Sequence, residues 1–313
     1  MSSHEDYWSI GELAERAGVT VKTVRFYSNR GLLPEASRSG GGHRRYGPET
    51  LDRLRLIRSL RALDLPLPEV RRVLEDEGAP GRVLEDAVEG RLRELGSELK
   101  ALRWREAALR LVRECPPAEQ ADRLRLIGTV SLPPNTAPLA RFWRAWLPPR
   151  MPARVMSAFL ELAVPQPPDE PDPAQVLAFT RLHAMMTAPC PTGRQPQPEV
   201  HQVAGARGAA VLYTGLAEAY ELAGPQLRRT RDPYPGEALD AYVAAYASAY
   251  GSRDTRQFRR LLAARLASGP RLDQYWELTA VVITPPGGRP EPTPGSADDW
   301  LRAALERDNV GAA

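Results

Sequence analysis

Ser9-Ile10-Gly11-Glu12-Leu13-Ala14-Glu15-Arg16-Ala17-Gly18-Val19-Thr20-Val21-Lys22-Thr23-Val24-Arg25-Phe26-Tyr27 is the stretch on which the fold turns. Ser9 and Glu12 stand three residues apart in the form of a capping box, in which a hydroxyl and a carboxylate each satisfy a donor orphaned at a helix start. Leu13, Ala14 and Ala17 follow at helical spacing, and Gly18 ends the helix. Thr20 then caps a second helix in which Val21 and Val24 face inward. Lys22, Thr23, Arg25 and Tyr27 are left on or near the open side. Two short helices with a tight, glycine-containing turn form a helix-turn-helix, whose second helix carries the side chains that read a DNA groove.

Gly31-Leu32-Leu33-Pro34 comes next, a stop with an apolar anchor. Ser39-Gly40-Gly41-Gly42 supplies residues tolerant of positive φ, as a hairpin tip demands, and His43-Arg44-Arg45-Tyr46 returns as the second strand. The glycines alone could be a linker, but their place after a helix-turn-helix favours a wing lying along phosphates. Arg38, Arg44, Arg45 and Tyr46 are its candidate DNA contacts. Tyr27 could instead pack between helix and wing, and Arg45 could pair with Glu35 across the hairpin. Arg25 and Arg44 show no obvious local acidic partner. Pro48 and Glu49 open a third helix lined by Leu51, Leu54, Ile57, Leu60 and Leu63; Pro66 breaks it, and Pro68-Glu69 starts a fourth with Val70, Val73 and Leu74.

Charge agrees with this reading. The whole chain carries only +3, yet residues 16–45 hold seven basic side chains against Glu35 alone. A basic solvated face is the plain alternative; phosphate neutralisation is the functional one.

At this point a resemblance is specific. Trp8-Ser9-Ile10-Gly11-Glu12-Leu13-Ala14, Thr23-Val24-Arg25-Phe26-Tyr27, Gly31-Leu32-Leu33-Pro34, Gly42-His43-Arg44-Arg45-Tyr46 and Leu67-Pro68-Glu69-Val70-Arg71 occur in the order and spacing of the MerR family head. The resemblance implies a winged helix-turn-helix over residues 1–78. It implies that Lys22, Thr23, Arg25 and Tyr27 meet DNA from the recognition helix and that Arg44, Arg45 and Tyr46 grip the backbone from the wing. Phe26 departs from the tyrosine or histidine of many members, which removes one phosphate hydrogen bond. Leu65-Pro66 replaces the usual glycine-containing turn and leaves the angle between the third and fourth helices open.

From Arg82 to Glu114 the chain has no proline, and residues 80–115 read as one long helix. Val88, Leu92, Leu95, Leu99, Leu102 and Leu109 recur in steps of four and three, with Glu106 interrupting. Such an a/d seam calls for a partner helix. The partner is either the C-terminal domain of the same chain or a second copy. The resemblance favours a homodimer through an antiparallel helix pair, two heads on a near-palindromic site, and distortion of an overlong promoter spacer for RNA polymerase.

Residues 118–313 read as an all-helical domain with segments at Ala137–Leu147, Ala153–Leu162, Ala174–Thr187, Ala206–Leu222, Gly236–Tyr250, Thr255–Ala267, Leu272–Ile283 and Ala297–Glu306. Thirty-one prolines, roughly twice the usual share, cluster between them. A DNA-binding head needs something to bias its states, so this half is expected to sense a small, flat amphipathic ligand. Trp143 and Trp146 on one helix, and Tyr242, Tyr246 and Tyr250 at four-residue spacing on another, are candidate contacts. More often such a tyrosine stripe is simply the core-facing side of a helix.

Other functions find little support. Cys115 and Cys190 make no disulfide framework and no grouped thiolate site, so no metal and no cofactor are expected. His183 and His201 sit in no cobalamin signature, and few alternating strands suggest a β-barrel. No phosphate loop, nucleophile elbow or His-carboxylate motif marks an enzyme. Without a signal peptide or an apolar run of ~18 residues, the chain reads as cytoplasmic, with no membrane partner. The expected fold is mainly α, with a small β-hairpin wing, and the expected function is a dimeric, ligand-responsive DNA-binding regulator. An architectural or recombination accessory factor without a ligand is the rival, with an enzyme tethered to DNA behind it.

Overall fold

Local signals set the first elements. In the computed structural model, which describes residues 7–76, 80–148, 151–188, 201, 205–266 and 270–311, helix α1 (Ile10–Ala17) starts at the expected box. The Glu12 N–H donates to Ser9 Oγ (3.3 Å) and the Ser9 N–H donates to Glu12 Oε2 (2.6 Å). Gly18 closes the helix at φ 63°, a left-handed conformation that costs glycine little. Helix α2 (Val21–Asn29) begins with Thr20 Oγ1 accepting from the Thr23 N–H (3.2 Å). Strands β1 (Ser37–Arg38) and β2 (Arg44–Arg45) pair antiparallel, Arg38 opposite Arg44, and Gly42 at φ 78° turns the tip. Helices α3 (Pro48–Ala62) and α4 (Leu67–Glu75) complete the head. Between them Asp64 adopts φ 59°, so an aspartate occupies the left-handed position a glycine would fill more cheaply.

The head packs round Leu13, Val24, Leu32, Leu54, Ile57 and Val70, joined by Ala87 of the long helix α5 (Pro80–Glu114). Arginines anchor it from outside. Arg58 Nη1 donates to the Ala17 carbonyl (2.6 Å) at the end of α1, and Arg53 Nε donates to the Leu32 carbonyl (2.7 Å). These cations cap carbonyls, so the positive charge of this region is not all available to a partner.

The chain divides into two compact units, residues 1–97 and 98–313, and the division falls inside α5. The second unit is wholly helical among its described residues. It contains α6 (Pro117–Ile127), α7 (Ala137–Trp146), α8 (Ala153–Ala163), α9 (Pro173–Thr187), α10 (Gly205–Arg228), α11 (Glu237–Ala249), α12 (Arg256–Arg265), α13 (Pro270–Ile283) and α14 (Pro294–Gly311). Two points differ from the sequence reading. Helix α6 was not anticipated, because Pro116-Pro117 reads as a stop whereas Pro117 sits at a first helical position, where no N–H is needed. Helix α10 runs on through Pro225 to Arg228 instead of ending at Leu222.

Two apolar clusters hold this unit. One gathers α5, α7, α9 and α13 round Trp104, Leu139, Trp143, Phe179 and Tyr275; the other gathers α10, α11, α12 and α14 round Leu216, Leu239, Tyr242, Tyr246 and Leu301. Gln175 shows how the elements are tied. It forms a capping box with Asp172 at the start of α9, and its Nε2 donates to the carbonyls of Val282 (3.1 Å) and Thr284 (2.8 Å) at the end of α13. Gly215 lets α10 approach α11 closely: a Cβ there would lie 2.6 Å from that of Ala245.

Candidate functional site

The outer face of α2 and the wing form the candidate nucleic-acid interface. Lys22 and Arg25 are exposed, Thr23 is half-buried, and neither cation makes an ion pair among the described residues. A helix presenting unpaired cations beside a hairpin of arginines can approach a polyanion without first breaking its own salt bridges. Phe26 lies next to Arg25, 41% exposed, with the Arg30 guanidinium 4.0 Å from its ring centre.

Two of the expected contacts lie elsewhere. Tyr27 is buried in the head core at 9% exposure, which is the packing alternative rather than a DNA contact. Tyr46 is fully buried; its backbone bridges to Trp8 and its hydroxyl donates to Ser28 Oγ (3.0 Å). Tyr46, fully enclosed, ties the wing to α2 from there.

The wing arginines are also less free than the sequence suggests. Glu35 Oε2 lies 3.2 Å from Arg44 Nε, and Glu35 Oε1 accepts from Arg38 Nε (3.1 Å) and Nη2 (3.0 Å). Arg44 therefore does have an acidic partner, because the hairpin register sets Arg38 and Arg44 side by side with Glu35 just before them. Arg44 Nη1 also donates to Ser28 Oγ (2.9 Å) and Asn29 Oδ1 (2.7 Å), tying the wing to the end of α2. Arg45 lies 3.9 Å from Glu12 and not beside Glu35. The Glu12 carboxyl is held below its usual range, first by the Ser9 N–H and hydroxyl and then by Arg45 and Arg16.

Helix α5 has two faces. Ala101, Trp104, Ala107, Ala108 and Leu111 are buried, and the Trp104 indole N–H donates to the Pro168 carbonyl (2.9 Å). Lys100 Nζ adds a bond to the Pro167 carbonyl (2.7 Å) and an ion pair with Asp169 (3.0 Å). On the other face the expected seam is bare: Leu92, Leu95, Leu99, Leu102 and Leu109 are 37–72% exposed, and Val88 is half-buried. Glu106 in that row pairs with Arg110 of its own helix (2.5 Å).

The second unit contains a half-open cavity of about 630 Å³ walled by Trp143, Trp146, Phe159, Tyr213 and Trp276. Trp143 and Trp146 are thus among its lining residues. The tyrosine stripe is not. Tyr242 and Tyr246 are fully buried in the second apolar cluster, and Tyr250 is 38% exposed and outside the cavity. Burial pushes the Tyr242 and Tyr246 hydroxyls well above their ordinary range, with the nearby Asp298 charge adding to it. His201, Tyr220 and Asp298 line the cavity but were not singled out, since their proximity depends on elements distant in sequence. Burial holds His201 down to about 4, so it is neutral.

Among the described residues no group of three His, Cys, Asp or Glu is placed to hold a metal, and no helix is long and apolar enough to cross a membrane. Cys115 carries a free thiol that donates to the Val112 carbonyl (3.3 Å), while Cys190 lies outside the described residues.

Comparison with known proteins agrees with the geometry of the head. Residues 8–77 match the family described as "MerR HTH family regulatory protein". Nodulation protein NolA of Bradyrhizobium elkanii is 48% identical over 68 residues, 22% of this chain and 31% of that protein. The HTH-type transcriptional activator TipA of Streptomyces coelicolor is 47% identical over 75 residues, 24% of this chain and 30% of its own length. The HTH-type transcriptional regulator ZntR homolog of Haemophilus influenzae is 31% identical over 121 residues, 38% of this chain and 90% of its own length. The chain belongs to the MerR family.

The MerR match ends at residue 77, just ahead of α5. The chain spans about 30% of the length of NolA and of TipA, so the likeness to them concerns the head. The cavity lies in α7, α8, α10, α13 and α14 and near His201, well beyond the MerR match.

Proposed function

We propose that this MerR-family protein is a cytoplasmic, non-enzymatic transcription regulator that binds promoter DNA as a homodimer and responds to a small ligand. The observation that carries the reading is the exposed, unpaired cationic edge of α2, Lys22 and Arg25, set beside an arginine hairpin. Arg25 is assigned to base edges, and Lys22 and Thr23 to the helix start. Arg38, Arg44 and Arg45 are assigned to phosphates, with Glu35 exchanged for phosphate on binding. Tyr27 and Tyr46 act from behind, as packing.

The bare leucine face of α5 supports pairing with a second copy, and a twofold pair of heads suits a near-palindromic site. Bending such a site costs several kcal/mol by elastic estimates, which contacts from two wings can offset. Action on an overlong promoter spacer, with RNA polymerase as the beneficiary, follows from the family and is part of the proposal. The cavity favours ligand response over an architectural factor, whose second unit would need no aromatic-walled space.

Arg25→Ala tests the assignment. Selective operator binding measured by gel shift and footprinting should weaken by roughly 5- to 150-fold, the worth of a base-reading arginine. The variant should keep its circular dichroism and oligomeric state, because the Arg25 side chain is exposed. Undiminished discrimination between operator and random duplex would show the wrong helix face has been assigned.

A further inference from the structure

The cavity of the second unit carries a chemical specification of its own. Its apolar walls are rings at contact distance: Trp143 lies 5.2 Å from Phe159 and 5.4 Å from Trp276, and Phe159 lies 5.4 Å from Tyr213. Edge and tilted arrangements of this kind present faces and edges on which a planar molecule can stack. At about 630 Å³ the space falls within the ~300–1,000 Å³ of sites that enclose a drug-sized molecule.

Three of the charged groups lining it, Asp298, Asp299 and Arg302, are paired with one another. Asp298 Oδ1 accepts from the Tyr242 hydroxyl (2.8 Å) and the Tyr220 hydroxyl (3.1 Å), and Oδ2 lies 3.2 Å from Arg302 Nε. Arg302 also donates to Asp299. The two carboxylates share one guanidinium, and the excess negative charge is met by two phenols. An incoming anion would meet Arg302 already claimed twice; an incoming cation would meet Asp298 already saturated. Arg154 and Asp273, the other charged lining groups, are of opposite sign. His201 is uncharged, with Nδ1 3.2 Å from the Tyr213 hydroxyl and Nε2 3.1 Å from the Tyr246 hydroxyl, so both ring nitrogens are occupied.

Two indole donors stand apart. Trp143 and Trp146 both line the cavity, and the buried N–H of each meets no acceptor among the described residues; Trp146, at 8% exposure against 1% for Trp143, is the more accessible of the two. A buried donor without a partner is costly, and a ligand that supplies the acceptor recovers that loss. We propose that this cavity takes an uncharged, flat aromatic ligand bearing a hydrogen-bond acceptor, such as a ring ketone, that receives the Trp146 N–H. The assignment rests on the ligand-responsive reading above and adds the chemistry of the effector.

The test uses the full-length protein and three neutral planar ketones, flavone, acridone and anthraquinone. Planar ions of similar size, 9-anthracenecarboxylate and proflavine, are the comparison, and binding is read by tryptophan quenching and calorimetry. At least one ketone should bind with a dissociation constant below about 100 μM, and about tenfold or more tighter than either ion. Trp146→Phe keeps a ring but removes the donor; it should weaken that ketone about tenfold at an unchanged melting temperature. Ala217→Trp, which fills the cavity from α10, should abolish binding and serves if the first variant does not fold. Failure of all three ketones, an ion that equals or outbinds them, or undiminished binding to folded Trp146→Phe would overturn the assignment. Promoter binding is measured on the same preparation without ligand. Ketone binding without promoter binding would retire the regulator reading and leave the cavity chemistry standing, and the converse would retire only the cavity chemistry.

Discussion

Leu99→Glu, alone and with Leu95→Glu, is the perturbation that bears hardest on how two heads could act together. The five bare leucines of α5 add up to nearly three fully exposed leucine side chains per protomer. At roughly 2 kcal/mol for each leucine buried, pairing two copies releases about 12 kcal/mol gross. Association consumes about 4–15 kcal/mol of such a gain, so the seam is adequate without large excess. Leu99 is 51% exposed, and its burial is worth about 1 kcal/mol in each copy. A glutamate there forfeits that amount and places a carboxylate in an apolar seam at a further cost of about 2 kcal/mol or more. The symmetric pair doubles the penalty to about 6 kcal/mol, or roughly 10⁴-fold in the dimer dissociation constant. Sedimentation across nanomolar to micromolar concentration should show monomers for Leu99→Glu, and for the double variant at every concentration. Circular dichroism should stay unchanged, because both side chains are already exposed in one chain. A double variant that remains dimeric would mean that the copies pair through another surface.

Two further perturbations follow from ion pairs and burial. Glu35→Gln should release Arg38 and Arg44 and steepen the salt dependence of binding to random duplex. The change is roughly 0.9 in slope for each added phosphate contact, or nearly 4 if both arginines of each wing in a dimer gain one; an unchanged slope would detach the wing from the backbone. His201 is held at about 4 by burial against an ordinary 6.5, so between those pH values the unfolded chain takes up the proton and the native chain does not. Its contribution to stability, about 3 kcal/mol, is therefore complete above pH 6.5 and lost as pH falls towards 4. Asp298, whose carboxyl is raised by burial, works in the opposite sense. The difference between wild type and His201→Asn in urea melts at pH 7.5 and 5.0 isolates the histidine, and parallel pH dependence in the two proteins would contradict its burial as the neutral form.

Whether a feature was legible in the sequence depended on the range of the interaction that creates it. The Ser9 box, the Thr20 cap and the glycines at 18 and 42 act within four residues, and each sits where the sequence places it. The fates of Tyr27, Tyr46 and Arg44 were not local. They depend on how the wing folds against α2, where Ser28 receives both the Tyr46 hydroxyl and an Arg44 N–H. On α5 the leucine seam was readable, and so in principle was the opposite stripe, Ala101, Trp104, Ala108 and Leu111, at spacings of three and four. Small residues hid it, because alanine marks a close packing face less plainly than leucine does. The cavity had no sequence signature at all. Its rings come from four helices, and Tyr242 and Tyr246 of the tyrosine stripe belong to the core between α10, α11 and α14, the commoner fate of such a stripe.

Helix α5 is also where sensing and pairing would have to meet. Its buried face shares one apolar cluster with Trp143 and Trp146, which wall the cavity, while its other face carries the leucines. Ala101, Ala107 and Ala108 are small contact residues on that face, and packed helices can shift by about 1–2 Å without opening the core, here with the Trp104 bond to Pro168 adjusting. A ligand that fits the cavity better in one such register than another biases the axial position of the helix. The leucines move with it, because a helix transmits axial displacement along its length. A tenfold change in operator affinity needs only about 1.4 kcal/mol of difference between the registers. That is comparable to the worth of the hydrogen bond that the Trp146 N–H lacks, so an acceptor that reaches this donor in one register and misses it in the other would supply coupling of the right size.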